Sequence, residues 1–337
     1  MKMQIEFNKR VTERQTAEQV RWLRRPNRRT AWECAQAFAS RWSGDRAFSQ
    51  VDLLAVIFVV VVLFLVLLPA LAKPGINSKG IQCLYNQRQL CNAWRMYADD
   101  SSDRIPYAVA GRAGSGSSYN FNLANPSDAN NYAWSGAHMS FSMGNRANYD
   151  PMVDMMLRPL WKYVKTTTVF KCPSDQSVCP NANGALVPRI LSVSMNLYLG
   201  GYCPGLAGGA GDDGGWPFAY PYRIYSKTSD LGTFSPAKAF VFTDERPDVI
   251  NWSNFMTDMT GYSPSNPASF NFFDLPGFFH DGGAAISFAD GHIELHRWTD
   301  SRTTPPAMPN GIILNVSPAS PNNADIAWLQ DHSTRLK

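Results

Sequence analysis

One feature dominates the hydrophobic pattern of this chain: residues 53–68 are apolar at every position, and after Asp52 no charge appears until Lys73. About 20 helical residues at about 1.5 Å each match the roughly 30 Å core of a bilayer, so the run predicts a membrane-spanning helix. Such a run leaves no polar face for water, which argues against a helix buried in a soluble core. Asp52 stands out at its edge, because a carboxylate beside a membrane helix is costly unless it has a partner. Farther on the pattern changes. Between 81 and 99, Leu84, Leu90, Ala93, Trp94, Tyr97 and Ala98 recur at helical spacing, predicting an amphipathic helix. Residues 152–165 predict a short helix and 189–197 a strand. Residues 239–243 predict a buried strand, followed by an acidic turn at Asp244-Glu245-Arg246-Pro247-Asp248.

Asp290-Gly291 lies between alternating apolar residues and predicts a β-hairpin with a two-residue type I′ turn. That turn sets Phe288 opposite Ile293 and Ile286 opposite Leu295 on one face, with Ser287 and Glu294 on the other. Residues 108–150 are rich in Gly, Ser and Asn and read as a long surface excursion whose aromatics pin it to the body or form a carbohydrate platform. Beyond 301, Pro-rich and Asn-rich sequence leads to a short helix at 325–330, a peripheral wrap.

Charge gives these elements an orientation. Residues 1–47 hold 11 Lys/Arg against 5 Asp/Glu, a net of +6, and the other residues hold 20 against 22, a net of −2. The positive-inside rule therefore places the N-terminus in the cytoplasm and the body across the membrane. Clustered arginines in RWLRRPNRR also suit nucleic acid, but their place just before an apolar helix favours topology, so no nucleic-acid partner is expected. Of six cysteines, Cys34 lies in the leader, while Cys83, Cys91, Cys172, Cys179 and Cys203 would face an oxidising compartment. None has the C-x-x-C spacing of a zinc site, so they read as up to two disulfides plus a free thiol. No metal site is assigned and no cofactor is expected. Asp212 and Asp213 in a glycine loop could hold calcium, yet two adjacent acids without ligand spacing read as solvated. His292, Glu294 and His296 alternate along one strand, again the pattern of a solvated face.

The segment Ala47-Phe48-Ser49-Gln50-Val51-Asp52-Leu53-Leu54 resembles the prepilin-type cleavage and methylation segment of type IV pilins and type II secretion pseudopilins. Ala47 replaces the family's usual glycine, Gln50 an apolar residue and Asp52 its glutamate. The resemblance implies cleavage between Ala47 and Phe48 by a prepilin peptidase, which methylates the new amine on Phe48. It also implies an assembly role for Asp52, neutralising the N-terminal amine of a neighbouring subunit. Pro69 falls where the family often carries a helix-loosening proline. CLYNQRQLCNAWRMYADD and the Phe-Lys-Cys-Pro run at 170–173 resemble a pseudopilin-like group of planctomycete and verrucomicrobial type. His280, nine intervening residues and Asp290-Gly291 match that group's H-X9-DG signature. Within the resemblance, Cys83 pairs with Cys172 in a disulfide.

The expected fold is therefore α+β and pilin-like, with a long N-terminal helix packed on an antiparallel sheet with long loops. The expected organisation is a basic cytoplasmic leader at 1–47, a membrane helix at 48–72, a periplasmic or extracellular domain at 73–306 and a peripheral tail at 307–337. The implied function is a structural pseudopilin-like subunit of a type II secretion-like or type IV pilus-like filament. The implied partners are the prepilin peptidase, other pilin-like subunits and the inner membrane. No catalytic residue is assigned: G-x-S-x-G, P-loop and HExxH patterns do not occur. Two rivals are a membrane-anchored binding module, for example for polysaccharide, and a metal-dependent hydrolase built on His280, Asp290, His292 and His296. Pro69-Ala70-Leu71-Ala72 also reads as a signal-peptidase site, which would make the apolar run a removable signal.

Overall fold

A computed structural model describes residues 49–71, 78–110, 129–136, 138–203, 221–308 and 318–337. The chain divides into two compact units, 1–73 and 74–337. Leader residues 1–47, Phe48 and the Asp212-Asp213 loop lie outside the described residues.

In the first unit, helix α1 spans Gln50–Leu71. Its start is written locally. Asp52 N donates to Ser49 Oγ at 3.2 Å, and Ser49 N donates to Asp52 Oδ2 at 3.0 Å, the reciprocal pair of a capping box. Asp52 thus has a partner inside its own chain, which the apolar pattern alone did not reveal. From Val51 to Leu65 the large apolar side chains are all exposed among the described residues. Counting only described side chains, which stop at Leu65 in α1, no helix is long and apolar enough to cross a membrane.

The second unit mixes helix with a mainly antiparallel sheet, so the α+β class holds. Helix α2 spans Ser78–Asp100, and its buried positions Cys83, Gln87, Leu90, Trp94 and Tyr97 make one stripe three to four residues apart. Two short strands, β1 (Val178–Pro180) and β2 (Leu186–Pro188), pair with each other. The main sheet contains β3 (Val193–Asn196), β4 (Phe240–Asp244), β5 (Asn254–Phe255), β6 (Gly283–Phe288) and β7 (Ile293–Arg297), in the order β5-β3-β4-β6-β7. Only the β3–β5 pair is parallel. The strands expected at 189–197 and 239–243 are β3 and β4.

The hairpin is present, but its register differs from the expected one by one residue. Ser287 pairs with Ile293 and Ile286 with Glu294, because the loop has three residues: Phe288 N donates to His292 O at 3.0 Å, and Gly291 N to Phe288 O at 2.9 Å. Gly291 takes φ +96° and Asp290 has no positive φ, as in a type I turn closed by a bulge glycine. A one-residue slip exchanges the faces of a strand. Ile286 and Phe288 therefore share a face with His292, Glu294 and His296, while Ala285 and Ser287 go with Ile293 and Leu295.

That exchange gives both sheet faces a cover. Cys83 of α2 packs with Ala285, Cys91 Sγ donates to Phe288 O at 3.2 Å, and Arg95 Nη1 donates to Asp290 O at 2.9 Å. Eight helical residues from Cys83 to Cys91 advance about 12 Å, and three strand residues from Ala285 to Phe288 about 10 Å, so helix and strand run side by side. The opposite face is closed by the C-terminal helix. A single helical turn, α3 (Trp161–Val164), belongs to the 152–165 stretch, where one helix was expected and short turns are found. Helix α4, Ala324–Ser333, packs Ile326 and Leu329 against Phe240, Ile286, Phe288 and Trp298. The C-terminal segment is therefore a core layer, not a peripheral wrap. Trp328 of α4 stacks on His296 at 3.9 Å and on His332 at 4.0 Å, so the strand face expected to be solvated lies under aromatic cover.

Residues 129–150 also depart from expectation. Trp134 and Met139 are fully buried in the main core, so Trp134 pins this segment to the body, as one of the two expectations had it, and the stretch around it is not a surface excursion. Trp134 stacks on Phe170 at 5.4 Å and tilts against Phe242 at 4.7 Å, while its Nε1 donates to Ser253 O at 2.9 Å.

Candidate metal centre

Four chain segments meet between α2 and the sheet. Cys83 comes from the second turn of α2, and Cys172 from the segment after a 3-10 turn at Thr168–Phe170. Asp244 ends β4, and His280 precedes β6. Their ligand atoms all lie within 4.8 Å of one another, and all four residues are buried. Cys83 Sγ is 3.2 Å from Asp244 Oδ2, Cys172 Sγ is 3.2 Å from His280 Nε2, and His280 Nε2 is 3.9 Å from Asp244 Oδ2.

Local chemistry aims each group. His280 opens a tight turn in which His280 N and Gly283 N bond each other's carbonyls at 3.2 and 3.0 Å. Asp281 and Gly282 both have positive φ, so the type I′ turn expected at Asp290-Gly291 occurs instead at the neighbouring Asp-Gly pair. Gly283 must lack a side chain, since a Cβ there would sit 2.4 Å from His296 O on β7. Cys172 is fixed through its backbone N–H, which donates to Ser192 Oγ at 2.8 Å. Asp244 accepts from Ala285 N at 3.1 Å and from Gln87 Nε2 at 3.4 Å.

Burial pushes the Asp244 carboxyl up to about 6, against the opposing hydrogen bonds from Ala285, Cys83 and Gln87. The Cys83 thiol is held well above its ordinary value, first by its hydrogen bond with Cys172, then by burial and the Asp244 charge. Burial lowers His280, favouring the neutral ring, whose Nδ1 has no hydrogen-bond partner among the described residues. The cluster is thus a set of polar groups among Leu84, Phe279 and Ala285, where apolar side chains would cost less.

Two sequence-assigned residues, Cys83 and Cys172, do come together, but as free thiols: the implied disulfide is not formed. Cys91 and Cys179 are buried free thiols too, so the two bridges allowed by the cysteine count are absent from these residues. The H-X9-DG residues separate. His280 lies at one end of β6, and Asp290-Gly291 turns the chain at the other, so the spacing spans one turn and one strand. Asp290 instead pairs with His292 at 2.6 Å, and His292 stacks on Phe288 at 4.1 Å. His280, Asp290, His292 and His296 therefore do not form a common site, and the only metal-competent group among the described residues is the Cys83, Cys172, Asp244 and His280 cluster.

Asp244 was not singled out because the stretch 244–248 read only as an acidic turn. Every charge in it is buried: Arg246 grips Asp248 at 2.9 and 2.8 Å, and Glu245 lies against Asp274, both carboxyls raised by burial. The available signal was the run Phe240-Val241-Phe242-Thr243, whose central-strand character carries Asp244 into the interior. No family model, characterised protein or solved structure matches this chain.

Proposed function

We propose that the chain is a pilin-like structural subunit, held in the inner membrane by α1, with its second unit outside the cytoplasm, and that it joins a type II secretion-like or type IV pilus-like filament. The observation that carries this reading is α1 itself, whose apolar side chains are exposed around the whole helix from Val51 to Leu65. Such a surface requires lipid or other helices to cover it. The charge step from +6 over residues 1–47 to −2 beyond supports an inward N-terminus. A helix laid on a mainly antiparallel sheet is the body expected of such a subunit. The binding-module reading loses one of its aromatic candidates, because Trp134 is buried in the core.

Asp52 separates assembly from plain anchoring. Its carboxylate accepts from Ser49 N, a local job at the helix start that asparagine can largely retain through its side-chain oxygen. A filament subunit also needs the negative charge. Asp52→Asn and Asp52→Leu should therefore both reach the membrane in normal amount, and both should fail to enter sheared filaments or crosslinked oligomers. Assembly of Asp52→Leu at wild-type level would overturn the filament reading and leave a monomeric anchor.

A further inference from the structure

We propose that Cys83, Cys172, Asp244 and His280 form a closed four-ligand site for a zinc-class divalent cation, which clamps α2 and the Cys172 segment onto the sheet. Zinc bonds of about 2.0–2.3 Å to N, O and S ligands, arranged tetrahedrally, put neighbouring ligand atoms about 3.3–3.8 Å apart. The separations found are 3.2, 3.2 and 3.9 Å, with every pair inside 4.8 Å, so an ion fits with shifts of a few tenths of an ångström in these three edges.

Ligand type selects the metal. Two sulfurs and an imidazole suit zinc and similar soft-tolerant ions, whereas calcium and magnesium require oxygen shells. Burial of all four residues leaves no open coordination position, the arrangement of a structural site and not of a catalytic one. Binding through Nε2 places the imidazole proton on Nδ1 and displaces both thiol protons and any proton on Asp244. Two thiolates and one carboxylate against a divalent ion leave one net negative charge. The Ala285 N–H and the Gln87 side-chain amide, both directed at Asp244, are placed to offset it.

The site would join residues 83, 172, 244 and 280, which are far apart in sequence, and it gives the signature histidine a job independent of filament assembly. The same thiols could instead form a disulfide, losing two protons and two electrons to an oxidant, and the two outcomes exclude each other.

The test uses the full chain purified in detergent. Zinc is measured by elemental mass spectrometry, and metal-free protein is titrated with Zn²⁺ against a chromophoric chelator and with Co²⁺ as an optical probe. The expected result is about one zinc per chain, with thiolate-to-cobalt absorption on cobalt loading. His280→Gln and Cys172→Ser should weaken zinc binding at least about tenfold, whereas Cys91→Ser, a buried thiol of α2 outside the cluster, should retain full occupancy. If a variant fails to fold, wild-type stoichiometry still decides the matter. A Cys83–Cys172 disulfide in the unreduced peptide map, or free thiols that take up neither ion stoichiometrically, would overturn the proposal.

Discussion

Replacing Arg246 by methionine should destabilise the second unit by about 3–5 kcal/mol, the usual cost of removing one partner of a buried ion pair. Arg246 and Asp248 are both fully buried, and the guanidinium fork meets the carboxylate at 2.9 and 2.8 Å. Its remaining donors hold Pro305 O at 2.7 Å and Pro306 O at 3.2 Å, and its plane lies 5.0 Å from the Phe278 ring centre. Methionine would fill much of the volume but leave a carboxylate and two carbonyls in the interior without those partners. The paired variant Arg246→Met/Asp248→Leu removes the stranded charge and should recover part of the loss, although the Met308 N–H that donates to Asp248 at 2.7 Å then loses its acceptor. Thermal unfolding of the three proteins checks the order: wild type, then the double variant, then the single. A single variant melting with the wild type would mean that the arginine is not buried as described.

Trp134→Ala should cost about 3–5 kcal/mol, the range for deleting a buried aromatic side chain. Its ring lies between Phe170 and Phe242, and its indole N–H reaches Ser253 O, so removal opens a cavity and orphans an acceptor. Trp134→Phe keeps a ring in place and loses chiefly the hydrogen bond, so its loss should be nearer about 1–2 kcal/mol. Denaturant midpoints of the two variants distinguish a core residue from one on a surface excursion, for which both substitutions would be nearly silent.

The parts legible in the sequence were those written in local periodicity. The stripe of α2, the apolar run of β4 and the presence of a hairpin around Asp290-Gly291 all follow from spacing that a short window contains. The faces of that hairpin did not follow, because they depend on whether the loop has two residues or three. Both versions use an Asp-Gly pair, and only the φ of Asp290 tells them apart. Trp134 was legible only as one of two alternatives, a pin to the body or a carbohydrate platform; burial selects the pin, but the glycine, serine and asparagine around it suggested a surface excursion, and its partners Phe170 and Phe242 are distant in sequence.

The cluster was legible only in pieces. Cys83 and Cys172 were brought together by resemblance and His280 was singled out by the signature, but no spacing rule connects residues 83, 172, 244 and 280. Asp244 looked like surface chemistry because four charged residues occur within 244–248, and charge runs are usually solvated. Burial of Arg246 with Asp248 reverses that rule here. Asp52 shows the opposite case: the expected partner was an N-terminal amine, its own chain's or a neighbour's, and the N–H of Ser49, three residues away, already supplies its carboxylate with a local one.

The central claim, that the apolar helix remains on the mature chain as an assembly anchor, is tested most directly by N-terminal sequencing combined with the intact mass of protein extracted from membranes. The account predicts a mature chain that begins at Phe48, carries one methyl group on its new amine and retains residues 53–68. A chain beginning at Lys73 would have lost the helix altogether and would contradict it.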